Sequence, residues 1–104
     1  MNVKNINSRY IEDVAEYQIA INGKFDFSLL NQFRDAYEEA PEGARKYVID
    51  MRSVELIDSS ALGMLLKMKR SLNLADGEIM IINCSSNIDK ILRIAKFDMM
   101  FSIQ

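Results

Sequence analysis

Histidine and tryptophan are missing from this 104-residue chain, and cysteine and proline occur once each. Without histidine, no imidazole-based triad or metal site can be built. The single cysteine, Cys84, cannot close an internal disulfide, which fits a reducing compartment. It follows an apolar run and reads as a small buried residue rather than a redox sensor. Neither G-x-x-x-x-G-K nor G-x-G-x-x-G occurs, so no standard phosphate cradle is present. Basic charge is not in excess: 13 Lys and Arg against 15 Asp and Glu leave a net charge of −2, which gives no reason to expect nucleic acid as a partner. No apolar run is long enough to span a bilayer, and the opening residues Met1 to Asn5 lack an apolar signal core. The expectation is therefore a cytoplasmic protein with no membrane association. Scarce glycine and proline, and the lack of any long run of like charge, argue against disorder. Among the acids, only Asp50 and Asp58 invite a catalytic reading, and with no base beside either of the nearby serines the expectation is a protein that is not an enzyme.

What is present supports one compact domain over residues 1–104. Apolar residues make up 49% of the chain, enough for a core without disulfides or metal. Val3 to Arg9 alternates weakly and Val14 to Ile21 alternates well, so both read as half-buried strands, with Asn22-Gly23 ending the second. Phe27, Leu30, Phe33, Tyr37 and Ala40 recur at helical spacing, with Asp26 or Ser28 as the cap and Pro41 and Gly43 as the stop. Tyr47 to Met51 reads as a buried strand, Arg52 to Ile57 as a connector, and Ser59 to Leu74 as a second helix. After a turn at Ala75 to Gly77, Glu78 to Asn83 reads as another buried strand. Ser86 or Asn87 can cap a third helix carrying Ile88, Ile91, Leu92 and Ala95. Asp98 to Ile103 is a short apolar tail, strand or coil. Strands separated by helices need crossovers and so favour parallel pairing, whereas the first two strands, joined by a short turn, pair antiparallel. The expected fold is α/β: a mixed, mostly parallel sheet with helices packed against it.

The second helix is unusual in two ways. Ala61, Met64, Leu65, Met68 and Leu72 form one apolar band, which Leu62 and Leu66 widen to roughly 200° of arc, about twice what one sheet face requires. Met64 and Met68 lie at its edge. They either contact a neighbouring helix or form an exposed edge for a partner, since methionine adapts well to binding surfaces. Gly63 sits one turn into the helix, where glycine costs about 1 kcal/mol relative to alanine. Either its backbone packs closely on a neighbour, or the helix surface there is left open for another molecule.

Ahead of that helix stands Asp58-Ser59-Ser60. Asp58 or Ser59 is a good N-cap, and capping alone would explain the residue types. Phosphorylation is the functional alternative. A phosphate at a helix N-terminus meets free N–H groups and the positive end of the helix dipole, so the fold would tolerate it.

This stretch resembles the STAS domain family, in particular the bacterial anti-sigma-factor antagonists. The resemblance rests on Val48 to Gly63, which is similar to the family's apolar strand ending in Asp, short connector and Asp-Ser-Ser-Gly-Leu-Gly helix start. It rests also on Gly23-Lys24-Phe25-Asp26, similar to the family's Gly-x-x-Asp loop, and more weakly on Glu78 to Asn83, the helix of Ile88, Ile91 and Leu92, and the Phe101 to Ile103 tail. Two departures are Ala61, where many relatives have Gly, and the third-helix end Ala95-Lys96-Phe97-Asp98, which lacks the family's glycine. The resemblance implies that Ser59 is phosphorylated by a partner that is both serine kinase and anti-sigma factor, and that a metal-dependent serine phosphatase reverses this. It implies that Asp58, Ser60 and Asp26 flank or present the phosphosite, and that the unmodified form binds the partner and frees the sigma factor. Partner contacts are expected at Phe25, Ala61, Gly63, Met64 and Met68. No cofactor and no metal are implied, and the expected state is a monomer or weak dimer. The alternative is a STAS scaffold in another signalling circuit, such as motility or biofilm control, or a small-ligand module.

Overall fold

The structure, a computed structural model, describes residues 4–104. Strand β1 (Ile6–Ile11) pairs antiparallel with β2 (Glu16–Phe25) across a short 3-10 turn at Glu12–Val14. Helix α1 (Leu30–Glu38), entered through a 3-10 turn at Phe27–Leu29, leads to β3 (Lys46–Ile57). Helix α2 (Ser59–Ser71), β4 (Ile79–Ile82), α3 (Ser86–Ile94) and β5 (Ser102–Ile103) follow. From β2 onward all neighbours are parallel, and the sheet order is the chain order, β1-β2-β3-β4-β5. The expected mixed sheet with an antiparallel first pair is the one observed.

That sequential order has a consequence for the layers. Parallel crossovers are right-handed. A sheet that always adds the next strand on the same side therefore receives every crossover helix on the same face. Ile19, Ile49 and Ile81 stand in register across the middle of that face and are fully buried. Phe33 and Tyr37 from α1, Leu65 and Met68 from α2, and Ile88 and Leu92 from α3 join them in one core. The opposite sheet face carries the row Gln18, Val48, Met80 and Ser102. Val48 is buried there, yet it stands apart from the main core.

Several boundaries differ from expectation. Val3 lies outside the described residues, and the first strand occupies Ile6–Ile11. Arg52 to Ile57 is not a connector but the second half of β3, and Asn22-Gly23 does not end β2, which runs on to Phe25. Both errors have one cause. Between Ala20 and Lys24, β3 twice advances one residue more than β2, so the pair carries two register shifts. A bulge adds a residue and breaks the two-residue alternation. The buried positions beyond Asp50 are accordingly Met51, Val54 and Ile57, every third residue, a spacing that does not read as a strand. Gly23 lies within this irregular stretch at φ +80. Helix α1 is shorter than expected and α2 stops at Ser71. The cap of α3 is Ser85, whose Oγ accepts from the Ile88 N–H at 3.2 Å, rather than Ser86 or Asn87. The tail forms a 3-10 turn at Phe97–Met99 and then the fifth strand.

A methyl on Gly23 would meet only ordinary contacts, 3.6 Å from Asn5 Nδ2 and 3.7 Å from Glu55 Oε2. The constraint is therefore the left-handed backbone, and not space. Gly23→Ala is expected to destabilise the fold by about 1 kcal/mol, read as a lower urea midpoint; an unchanged midpoint would contradict the left-handed backbone at Gly23.

Candidate functional site

Strands β2 and β3 finish side by side, with Phe25 paired to Ile57. An aspartate follows each, and each caps what comes next. Asp58 Oδ1 accepts from the Ser60 N–H at 3.0 Å, the Ala61 N–H at 3.2 Å and the Ser60 hydroxyl at 2.6 Å. Asp26 Oδ1 accepts from the Ser28 N–H at 2.9 Å and the Ser28 hydroxyl at 2.6 Å. Asp-x-Ser thus occurs twice at one end of the sheet, each aspartate accepting from the N–H and hydroxyl of its serine, and Asp58 accepts from the Ala61 N–H besides. In this pairing Ser59 occupies the position that Phe27 occupies in the first copy.

The arrangement divides the work of the two serines. Asp58 is the cap, and Ser60 is committed to it through both N–H and hydroxyl. Ser59 is exposed, and its hydroxyl has no hydrogen-bond partner among the described residues. The Ser60 hydroxyl first, and then the Ala61 N–H, hold the Asp58 carboxyl below the usual carboxylate range, because bonds to the charged form favour it. At neutral pH the edge therefore carries an ionised Asp58 next to the open Ser59 hydroxyl.

Five positions were expected to touch a partner, and the structure separates them. Phe25, Ala61 and Met68 are fully buried and Met64 is nearly so. Phe25, Ala61 and Met68 are thus core residues and offer no contact surface. The wide apolar band of α2 is covered twice, by the sheet below and by α1 alongside, which is why its methionine edge is not exposed. Gly63 is exposed, and a Cβ built there meets nothing within 4 Å. Close backbone packing is therefore excluded as the reason for this glycine. Gly63 opens a groove between α1 and α2, in which Met64 also shows a margin.

The exposed apolar residues near this edge are ones that sequence reading assigned elsewhere. Phe27 is 68% exposed and Leu56 is 40% exposed. Phe27 fits the helical period of α1, but it begins a 3-10 turn, whose three residues per turn carry it off the buried stripe. Leu56 lies in the bulged half of β3, beside Lys24. Arg34 and Lys67, both on the groove, were also missed, because surface cations carry no sequence signal of their own.

Other candidates lose their chemistry. Asp50 lies within β3, its Oδ1 accepting from the Arg52 N–H at 2.9 Å and from Asn83 Nδ2 at 3.0 Å. The seven strand residues Met51 to Ile57 separate it from Asp58, roughly 20 Å or more, so the two cannot act as a carboxylate pair. Half-burial pushes the Cys84 thiol up to about 11, so it stays protonated at neutral pH and is a poor nucleophile. Among the described residues no group of three or more His, Cys, Asp or Glu side chains could hold a metal ion, and no helix is long and apolar enough to cross a membrane.

Comparison with known proteins agrees with this geometry. The family model described as "Mlab, STAS domain" matches residues 8–102. A STAS-domain containing protein of Pseudomonas aeruginosa (strain UCBPP-PA14) is 43% identical over 91 residues, covering 88% of this chain and 90% of that protein. The chain belongs to the STAS domain family. Its fold is that of the anti-sigma factor antagonists. A putative anti-sigma factor antagonist from Thermotoga maritima superposes with a TM-score of 0.76 at 14% identity, covering 94% of this chain and 84% of that one. The Bacillus cell fate determinant SpoIIAA in its phosphorylated form superposes with a TM-score of 0.67 at 17% identity, covering 95% and 90%.

Two stability measurements test the site. Because nothing opposes a methyl at Gly63, Gly63→Ala is expected to stabilise the protein by about 0.5–1 kcal/mol; a lower urea midpoint would show that the helix surface there is not open. The folded Asp58 carboxyl titrates below its unfolded value, so its contribution is complete above the ordinary carboxylate range and disappears as pH falls through the lower folded value. Asp58→Ala should therefore be less stable than the parent at neutral pH, with the gap closing in acid. A gap independent of pH would contradict the cap.

Proposed function

We propose that this protein is a phosphorylation-switched anti-sigma-factor antagonist, with Ser59 as the modified residue. The observation that carries the reading is the division of labour at the α2 start. Asp58 and Ser60 hold the helix end, and the exposed Ser59 hydroxyl is left uncommitted. A modification at Ser59 then costs the fold no cap. In the unmodified state the protein binds a serine kinase that is also an anti-sigma factor, freeing the sigma factor for transcription. The kinase phosphorylates Ser59, binding is lost, and a metal-dependent serine phosphatase resets the switch. Such a protein works in the cytoplasm, as a monomer or weak dimer. The solved SpoIIAA structure in the phosphorylated form supports the reading, since this chain shares its fold.

The physical effect is local charge. Ser59 stands between the ionised Asp58 and Ser60, beside the second aspartate cap at Asp26. A phosphate adds about −1.5 to −2 charge to an edge that already carries two carboxylates. The phosphate is tolerated at the N-terminus of the 13-residue α2, so the surface changes while the fold does not. An acidic face on the partner would then meet like charge, a juxtaposition that costs several kcal/mol at an interface. Asp26 presents the site from the neighbouring strand end, and Phe27 and Leu56 supply exposed apolar contact beside it.

Calorimetry with the cognate kinase tests this. Ser59→Ala should bind as the unmodified protein does and show no kinase-dependent mass increase, while Ser59→Asp should bind at least about tenfold more weakly, the equivalent of 1.4 kcal/mol. Ser60→Ala should lower stability but still accept one phosphate. Equal affinity of the two Ser59 variants, or a phosphate on Ser60 in the unmutated chain, would overturn the assignment.

A further inference from the structure

An open groove of about 410 Å3 lies between α1 and α2, and its two walls are matched in level. Both helices run back from strand ends that are paired in parallel, so they lie parallel to each other. Phe27 and Ser60 stand at the sheet-edge end. Arg34 and Lys67 each lie seven residues further on, about 10 Å along the axes, and all four line the groove. Between them the α2 wall is Gly63 and Met64, with empty space where a Gly63 side chain would stand.

The groove therefore has polarity: an exposed aromatic at one end and two cations at the other. Both cations are available. Arg34 reaches Asp35 at 3.8 Å and Glu38 at 4.0 Å, long contacts between exposed side chains that contribute little. Lys67 makes no ion pair among the described residues. A furrow between two helices takes a third helix as its natural occupant, read through anchors one and two turns apart. We propose that this groove docks an acidic amphipathic helix of the partner protein, with apolar side chains over Gly63 and carboxylates on Arg34 and Lys67. A basic helix would set like charges together, and a bulky residue at position 63 would close the seat.

The proposal rests on the partner-binding reading above and adds a reason why the switch works. Ser59 adjoins Ser60 at the groove's entrance, where the two aspartates already stand. A phosphate there opposes entry of an acidic helix, while the cations that attract it lie at the far end and are not neutralised.

The test is an NMR titration of the full, unmodified, 15N-labelled chain with two synthetic helical peptides: one with a leucine face and a glutamate face, and its lysine counterpart. The glutamate peptide is expected to shift the amides of Arg34, Gly63, Met64 and Lys67 saturably, and the lysine peptide to leave them unmoved. Arg34→Glu combined with Lys67→Glu should weaken the glutamate peptide at least tenfold and admit the lysine peptide; Gly63→Leu should block both. No response at the groove, equal response to both peptides, or binding unchanged in the double variant would overturn the proposal. A working groove alongside indifference of the kinase to Ser59→Asp would sink the switch and leave the groove, and the reverse pattern would sink the groove alone.

Discussion

The alignment of Phe25 with Ile57 at the ends of two parallel strands is the constraint on which the rest depends. It brings Asp26 and Asp58 to one sheet edge and starts both following helical segments at the same level. Because the sheet grows in chain order, right-handed crossovers put these helices on one face. Their adjacency creates both the burial of Met64 and Met68 and the groove above them. One register relation thus sets the charge of the edge, the exposure of Ser59 and the shape of the surface beside it.

Capping is compatible with the proposed switch because the two would fall on different atoms. An aspartate cap bonded to Ser60 and Ala61 leaves Ser59 uncommitted. Had Ser59 itself been the cap, modifying its oxygen would have removed an acceptor that the helix needs. The first Asp-x-Ser copy shows what the same scaffold does without a hydroxyl at the middle position: it presents an exposed phenyl ring, Phe27. One end of the sheet therefore presents an exposed ring and an exposed hydroxyl from equivalent backbone positions.

Much of this was legible in the sequence because it depends on local rules. Alternation in Val14 to Ile21, which begins two residues ahead of β2, the apolar run at Tyr47 to Met51 and the helical periods located the sheet and its helices, and Asp58-Ser59-Ser60 marked the helix start. What was not legible depends on pairing. The bulges that carry β3 through Arg52 to Ile57 are a property of two strands together, and neither strand alone records them. The burial of Met68 depends on α1 lying alongside α2. Gly63 left two explanations open in the sequence, and the structure excludes close packing by showing open space there. Phe27 was misplaced because a 3-10 turn changes the angular step at the point where the α-helical period begins.

In the proposed switch a charge added at Ser59 alters a surface and leaves the fold intact. The most direct measurement is a comparison of amide NMR spectra for the unmodified chain and the chain carrying phosphoserine at position 59. Shift changes are expected only at residues 26–28 and 56–64, with the amides of Ile49 and Ile81 and the unfolding midpoint unchanged. Changes spread through the core around Ile49 and Ile81, or loss of the α2 start, would contradict the switch.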